Sequence, residues 1–255
     1  MKGRIGLNKS YWDNRIDHMD YSVVIPIKNE ETNIDDLIQE LCPVMDGLHR
    51  PWELIYINDG STDRSGEVLA QAAQKRGNIR VITFDRNYGQ TSAFDAGFKA
   101  ARGKMVITLD GDRQNNPADI PKLLAEMDGA DLVCGWRKDR RDPINKKVIS
   151  KLANAIRSRV CKDDMHDTGC SLKVYRTECL RKIALFDGMH RFLPALFKIH
   201  GYQVREVPVS HREREKGKSN YNFLNRSIRP LLDMFAVMWM RKRHLTYREK
   251  NGGRG

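Results

Sequence analysis

Met105-Val-Ile-Thr-Leu-Asp-Gly-Asp112 sets two carboxylates one residue apart, directly behind an unbroken largely apolar run. The run is too short for a helix and suits a strand buried on both faces. Outward from it the same kind of run recurs. Tyr21-Ser-Val-Val-Ile-Pro-Ile27, Leu54-Ile-Tyr-Ile57 and residues 80–84 come before it, and Leu132-Val-Cys134 comes after. Helical patterns lie between these runs. Ile34, Leu37, Ile38 and Leu41 fall at i, i+3, i+4 and i+7, with Pro43 and Gly47 expected to end that helix. A second helix is expected through about Ala73 and a third up to Ala101. Strands alternating with helices predict an α/β fold, a Rossmann-like, mostly parallel sheet flanked by helices. Such sheets bind ligands at the carboxyl ends of their strands. The polar clusters fall there: Lys28-Asn29-Glu30, then residues 58–63, 85–90 and 110–116.

The chain has 255 residues, 40% hydrophobic and 31% charged, enough for one large domain or one domain with an appendage. Its net charge of +12 favours anionic partners. Thirteen Lys and Arg against five Asp and Glu lie in residues 201–255, so the basic character belongs mainly to the C-terminal end. The five cysteines form no Cys-x-x-Cys, which speaks against a disulfide framework or structural zinc and for idle thiols in a reducing compartment. The first twenty residues read as a loose arm without the apolar core of a secretory signal. No run approaches the roughly 20 apolar residues of a membrane span. Gly-x-Gly-x-x-Gly and Gly-x4-Gly-Lys-[Ser/Thr] are absent, against dehydrogenase and P-loop readings. No nucleic-acid motif accompanies the charge, and no nucleic-acid partner is expected.

After Gly135 the rhythm changes. Residues 137–159 are rich in Lys and Arg and look helical in their second half. Residues 170–176 predict a strand, 192–199 a helix, and 203–209 an edge strand stopped by Pro208, followed by a charged loop at 210–220. Residues 222–240 carry Leu224, Ile228, Leu231, Phe235 and Met238 at helical spacing, opposite Arg226, Arg229 and Asp233. Trp239 and Arg241-Lys-Arg-His244 follow. This amphipathic helix, opened or kinked at Pro230, suits either a bilayer interface or a docked position on the domain or a partner.

Asp110 and Asp112 at a strand end can grip a divalent cation that also bridges two phosphates, with Gln114 and Asn115 as neutral oxygen donors. Asp59, within Asn58-Asp-Gly-Ser61, can accept from a base or ribose, or simply cap a turn. Arg86-Asn87-Tyr88-Gly89 offers a cation and an open glycine backbone, or an ordinary surface loop.

Val24-Ile-Pro-Ile-Lys-Asn-Glu-Glu31, Asn58-Asp-Gly-Ser-Thr-Asp63, Arg86-Asn-Tyr-Gly89 and Asp110-Gly-Asp-Arg-Gln114, in that order across residues 21–135, resemble the motifs of family 2 glycosyltransferases of the GT-A fold. Gly135-Trp-Arg137, Lys146-Lys-Val-Ile-Ser150, Asp167-Thr-Gly169 and Arg214-Glu-Lys-Gly-Lys-Ser219 are similar to acceptor-side motifs of the polyprenyl- or dolichyl-phosphate sugar synthases within that family. Arg113, where many relatives carry an apolar residue, and Lys146, in place of an arginine, depart from the pattern. The resemblance implies a nucleotide-sugar half at 21–135 and an acceptor half at 136–210 of one catalytic domain, with a basic loop, helix and tail at 211–255. It implies Mg2+ or Mn2+ on Asp110 and Asp112 with Gln114, and a UDP- or GDP-sugar held by Pro26, Asn29, Glu30, Asp59, Arg86, Asn87, Gly89 and Asp110. The acceptor phosphate would meet Arg137, Lys146, Ser150, Arg214 and Lys218. A phosphate acceptor is already an anion and needs no strong base; for a hydroxyl of a glycolipid or polysaccharide, the other acceptor class, Asp167 would be the base. The resemblance further implies a cytoplasmic protein at the inner membrane face. Because many relatives continue into membrane helices, it also implies a separate membrane-anchored partner or a homo-oligomer.

Overall fold

The computed structural model describes residues 19–138, 165–212 and 229–245. The expected arm, the basic stretch beyond 138 and the charged loop beyond 212 therefore lie outside the described residues. Within them, seven strands form one sheet: β1 (Tyr21–Ile27), β2 (Trp52–Asn58), β3 (Ile79–Thr83), β4 (Met105–Thr108), β5 (Leu132–Trp136), β6 (Lys173–Arg176) and β7 (Val204–Pro208). Their order is β3-β2-β1-β4-β6-β5-β7. All pairings are parallel except those of β6, which runs antiparallel between β4 and β5. The edge position expected of β7 is observed, whereas the insertion of β6 leaves no local trace in the sequence.

Alternate residues feed two cores, as the pleat requires. Val23, Ile25, Leu54, Tyr56 and Ile107 face α1 (Ile34–Asp46), α2 (Ser65–Lys75) and α4 (Ile120–Ala125). Val24, Ile55, Ile57, Val106 and Leu132 face α3 (Gln90–Ala100), α5 (Thr177–Leu180) and α6 (Leu193–Ile199). Helix α1 runs through Pro43 to Asp46 instead of ending there. Pro43 falls in its last turn, and the buried Cys42 and Met45 hold that turn on the core. Cys42, Cys134, Cys170 and Cys179 are free and buried, the idle thiols expected.

The last described helix, α7 (Arg229–Arg243), departs from the expected amphipathic pattern. Met234 and Val237 are its buried residues, packed in the core beside α6 and the 3-10 turn Met189–Phe192. Phe235, expected on the apolar face with Met238, points outward with Leu232 and Trp239, at 55%, 63% and 63% exposure. Asp233, expected on the opposing polar stripe, instead lies against Gly188. The helix thus docks on its own domain and leaves a second apolar ridge outside.

At the amino end of the sheet, the buried Glu53 carboxylate accepts from Ser22 Oγ (2.8 Å), Arg80 Nη1 (2.9 Å), and Arg102 N, Nε and Nη2 (2.9, 3.1 and 2.9 Å). Burial alone would raise its pKa, but the bonds from Arg80, Ser22 and Arg102 outweigh burial and hold it below the usual glutamate range. Its contribution to stability is therefore present above the unfolded value of roughly 4.3 and lost as pH falls through the folded value. Glu53→Ala is expected to cost about 3–5 kcal/mol in urea denaturation at neutral pH, because two guanidinium groups lose a common partner. Glu53→Gln is expected to flatten the acid limb of the stability curve.

Candidate active site

Pairing between β1 and β4 ends at Val24–Thr108, while β1 continues beside β2 to Ile27–Asn58. The strand order reverses between β1 and β4, where open α/β sheets take their ligands. Asp110 leaves the sheet at that point. Its Oδ1 accepts from Gln90 Nε2 (3.0 Å), its Oδ2 from Ser171 Oγ, and its own amide donates to Asn115 Oδ1 (3.1 Å). Gly111 has no space for a side chain, since a Cβ would lie 2.4 Å from Ile27 Cδ1. Asp112 accepts from the Gln114 amide (3.2 Å), closing a tight turn. Arg113 occupies the left-handed region at φ 62°, a conformation costing roughly 1–2 kcal/mol outside glycine. Its guanidinium pairs with Asp36 (2.7 Å) and Glu40 (2.5 Å) of α1.

Burial and the like charge of Asp112 push the Asp110 carboxyl above the usual carboxylate range, against the pull of Ser171, Lys173 and Arg137. A half-buried carboxyl pushed up by its own burial and by a neighbouring carboxylate fits a divalent cation, which would remove the repulsion. Among the described residues no group of three or more His, Cys, Asp or Glu converges on one point. A two-carboxylate set leaves coordination positions for water and substrate oxygens, as Mg2+-type ions prefer. Gln114 stays beside this pair, whereas Asn115 is buried with its carbonyl already accepting from Asp110, which removes it as a free donor.

A cleft of about 620 Å3 opens over the ends of β1, β2 and β3, lined among others by Lys28, Asn29, Asn58, Thr83, Arg86 and Asn87. Asn29 accepts from the Thr62 amide (2.8 Å), and Glu30 accepts from Asn33 Nδ2 (2.5 Å) while its amide donates to Ser65 Oγ. Both brace the turn after β1 against the turn after β2. Pro26 lies in β1 past the last β4 pairing, where its missing N–H leaves no ladder bond unmade. Asp59 is buried, and its two oxygens accept from the amides of Tyr88 (2.7 Å) and Gly89 (3.0 Å). It therefore shapes the loop after β3. Gly89 holds φ 90°, and Asn87 Oδ1 accepts from its amide (2.8 Å). Arg86 lies over the Tyr88 ring, 4.9 Å from its centre.

On the other side of Asp110, Arg137 makes a bidentate pair with Asp167 (2.6 and 2.9 Å). Burial works against the Arg137 charge, and the Asp167 bonds and charge override it, so its pKa is raised. Asp167, the candidate base for a hydroxyl acceptor, is held as the partner of this cation. Lys146, Ser150, Arg214 and Lys218 lie outside the described residues.

Three neighbours of the site escape the sequence reading. Gln90 reads there only as part of a polar loop, and Ser171 and Lys173 only as strand. The buried Lys173 donates to the carbonyls of Thr168 and Cys170 and lends positive charge to Asp110. A lysine two residues after a serine within an otherwise apolar strand is the signal that could have found them.

The family model "Glycosyl transferase family 2" matches residues 22–184. The chain is 37% identical to a dodecaprenyl-phosphate galacturonate synthase of Rhizobium johnstonii, covering 88% of this chain and 68% of that protein. It is 38% identical to an undecaprenyl-phosphate 4-deoxy-4-formamido-L-arabinose transferase of Edwardsiella ictaluri, covering 80% and 63% respectively. It thus spans about two thirds of the length of these relatives. Among solved structures, glucosyl-3-phosphoglycerate synthase of Mycobacterium tuberculosis, in complex with Mn2+, UDP-glucose and phosphoglyceric acid, aligns with a TM-score of 0.66 at 19% identity, over 88% of this chain and 79% of that one. At that identity the likeness is one of fold.

Asp59→Asn replaces one acceptor oxygen with an amide that cannot accept, leaving Tyr88 N or Gly89 N without its partner. The expected loss is about 1–3 kcal/mol of local stability, read as faster hydrogen exchange at those two amides while the β2 amides stay protected.

Proposed function

The chain belongs to glycosyl transferase family 2, and from that premise we propose that it moves a sugar, with inversion, from a nucleoside-diphosphate sugar to a polyprenyl phosphate. The observation that carries the donor half is the Asp110–Asp112 pair at the reversal of strand order, on the same carboxyl edge of the sheet as the cleft over β1, β2 and β3. The acceptor half rests on relatives at 37–38% identity whose names specify dodecaprenyl and undecaprenyl phosphate.

In this reading the cleft takes the nucleoside. Arg86 and Asn87 lie along its wall, with the loop behind them fixed by Asp59 through the Tyr88 and Gly89 amides, while Asn29 and Glu30 keep its floor in register. Asp110 and Asp112, assisted by Gln114, hold the cation, and Mg2+ or Mn2+ there supplies charge neutralisation to the departing diphosphate. Gln90 and Ser171 aim Asp110, and Lys173 and Arg137 lower the cost of its charge. Arg137, with Lys146, Ser150, Arg214 and Lys218, receives the acceptor phosphate. That oxygen attacks the anomeric carbon as the bond to the diphosphate breaks. The acceptor arrives as an anion, so the chain's work is positioning and charge stabilisation. A hydroxyl acceptor would need a free base, and Asp167 is bound to Arg137.

The outward ridge of Leu232, Phe235 and Trp239, followed by Arg241, Lys242 and Arg243, suits an anionic lipid surface. In this reading the protein works peripherally at the cytoplasmic membrane face, where a polyprenyl phosphate acceptor would be met. No helix among the described residues is long and apolar enough to cross a membrane.

Incubation with labelled UDP- and GDP-sugars, polyprenyl phosphate and Mn2+ is expected to move label into organic solvent as an acid-labile phosphodiester; an acid-stable glycoside would overturn the acceptor assignment. Asp112→Ala is expected to lower kcat/KM by about 1,000-fold or more and to abolish cation-dependent nucleotide affinity in calorimetry. Leu232→Ser with Trp239→Ser is expected to weaken flotation with phosphatidylglycerol vesicles roughly tenfold, leaving nucleotide affinity unchanged.

A further inference from the structure

Helix α1 carries a carboxylate for which donor-site and acceptor-site segments compete. Glu40 Oε1 accepts from Arg113 Nη2 (2.5 Å), and Glu40 Oε2 accepts from Arg212 Nη1 (2.6 Å). Arg113 directly follows Asp112. Arg212 stands at the end of the segment after β7, just before the basic stretch that holds Arg214 and Lys218. The two arginines belong to loops about a hundred residues apart in sequence, and one carboxylate faces both.

The two segments are stitched together around this point. The Arg212 amide donates to the Gln114 carbonyl (3.1 Å), and Asn115 forms an isolated antiparallel bridge with His211. Arg212 Nη2 donates to Asn116 Oδ1 (2.8 Å). Ser210 donates through its amide (2.9 Å) and hydroxyl (2.6 Å) to Asp119, and Lys122 Nζ donates to the Pro208 carbonyl (2.6 Å). Residues 208–212 therefore run along residues 114–122, with Glu40 clamping the end nearest Asp112. The clamp is electrostatic. Each guanidinium repels the other, and the shared carboxylate is what lets them sit side by side. The Arg113 and Arg212 bonds also hold the Glu40 carboxyl below the usual range, although burial opposes them.

We propose that Glu40 is a positioning residue, the shared anion through which the segment leading to the acceptor loop and the loop carrying Asp110 and Asp112 are set as one unit. Displacement of the chain beyond Arg212 is thereby passed to Asp112 through Arg113, whose left-handed backbone allows it little freedom. The inference rests on the proposed function in one respect, that the stretch after Arg212 meets the acceptor phosphate. The coupling itself is a property of the unliganded fold.

The test uses the full chain and two variants, Glu40→Gln and Arg212→Gln. Amide hydrogen exchange without ligands is expected to rise roughly tenfold in both 111–116 and 209–212 for either variant, the loss of one charge-assisted contact. Exchange that rises only in the segment nearest each substitution, or in neither, overturns the coupling. In transfer assays Glu40→Gln is expected to raise KM for polyprenyl phosphate about tenfold, while metal-free nucleotide affinity stays within about twofold. Added to Arg212→Gln, it is expected to cause little further loss. Fully additive losses, or an unchanged KM for the acceptor, overturn the positioning role. Should the unmodified chain transfer nothing to polyprenyl phosphate, the functional reading falls, and the exchange measurement still decides the coupling. Should Glu40→Gln fail to fold, Arg113→Gln decides it: exchange must spread to 209–212.

Discussion

Two negative groups stand close together, half-buried, beyond β4, and the surrounding loops are arranged around that tension. Gln90 from α3, Ser171 from the approach to β6, and Asn115 from the loop itself all hold the Asp110 segment in place. Lys173 and Arg137 supply positive charge nearby, and still burial and Asp112 dominate. A protein stabilised only for its own sake would replace one of the pair. Keeping both is a local conflict that a bound cation would resolve, the pattern expected where function overrides stability.

Glu53 gives the opposite case in the same sheet. It is fully buried where Asp110 is half-buried, yet its donors include two guanidinium groups, a hydroxyl and a backbone amide, and its carboxyl is driven down where that of Asp110 is driven up. The amino ends of the strands carry a satisfied charge that fastens β1, β2, β3 and the chain entering β4. The carboxyl ends carry one that burial and an acidic neighbour push the other way. This polarity runs from one end of the sheet to the other.

The sequence made the first half of the fold legible because its signals are local. Buried strands alternate with helices, and each polar cluster follows its strand, so β1 to β5 and their loops fall where the patterns predict. What depends on distant pairing was hidden. Nothing near residue 173 reveals that β6 runs antiparallel between β4 and β5. Nor does Asn58-Asp-Gly-Ser61 reveal that Asp59 holds amides thirty residues on. Helix α7 misled for a related reason. Its periodicity was real, but Met234 and Val237 compete with Leu232, Phe235 and Trp239 for the core, and only packing against α6 decides between them. The Asp110–Asp112 pair itself was plain, whereas Gln90, Ser171 and Arg212 are ordinary residues whose place comes from where the chain returns.

The antiparallel strand also constrains how the chain can be assembled or divided. β5 touches no strand that precedes it; its neighbours are β6 and β7, both made later. A nascent chain that has just exposed β5 has no edge on which to lay it, while β4 waits with one side open. Late arrival of β6 closes both gaps in one event, a long-range step of the kind that slows folding and leaves strand edges vulnerable meanwhile. A fragment ending near residue 138 would hold the Asp59 and Asp110–Asp112 motifs and yet expose β4 and β5 to aggregation, so the acidic motifs cannot be cut away from the strands that follow them.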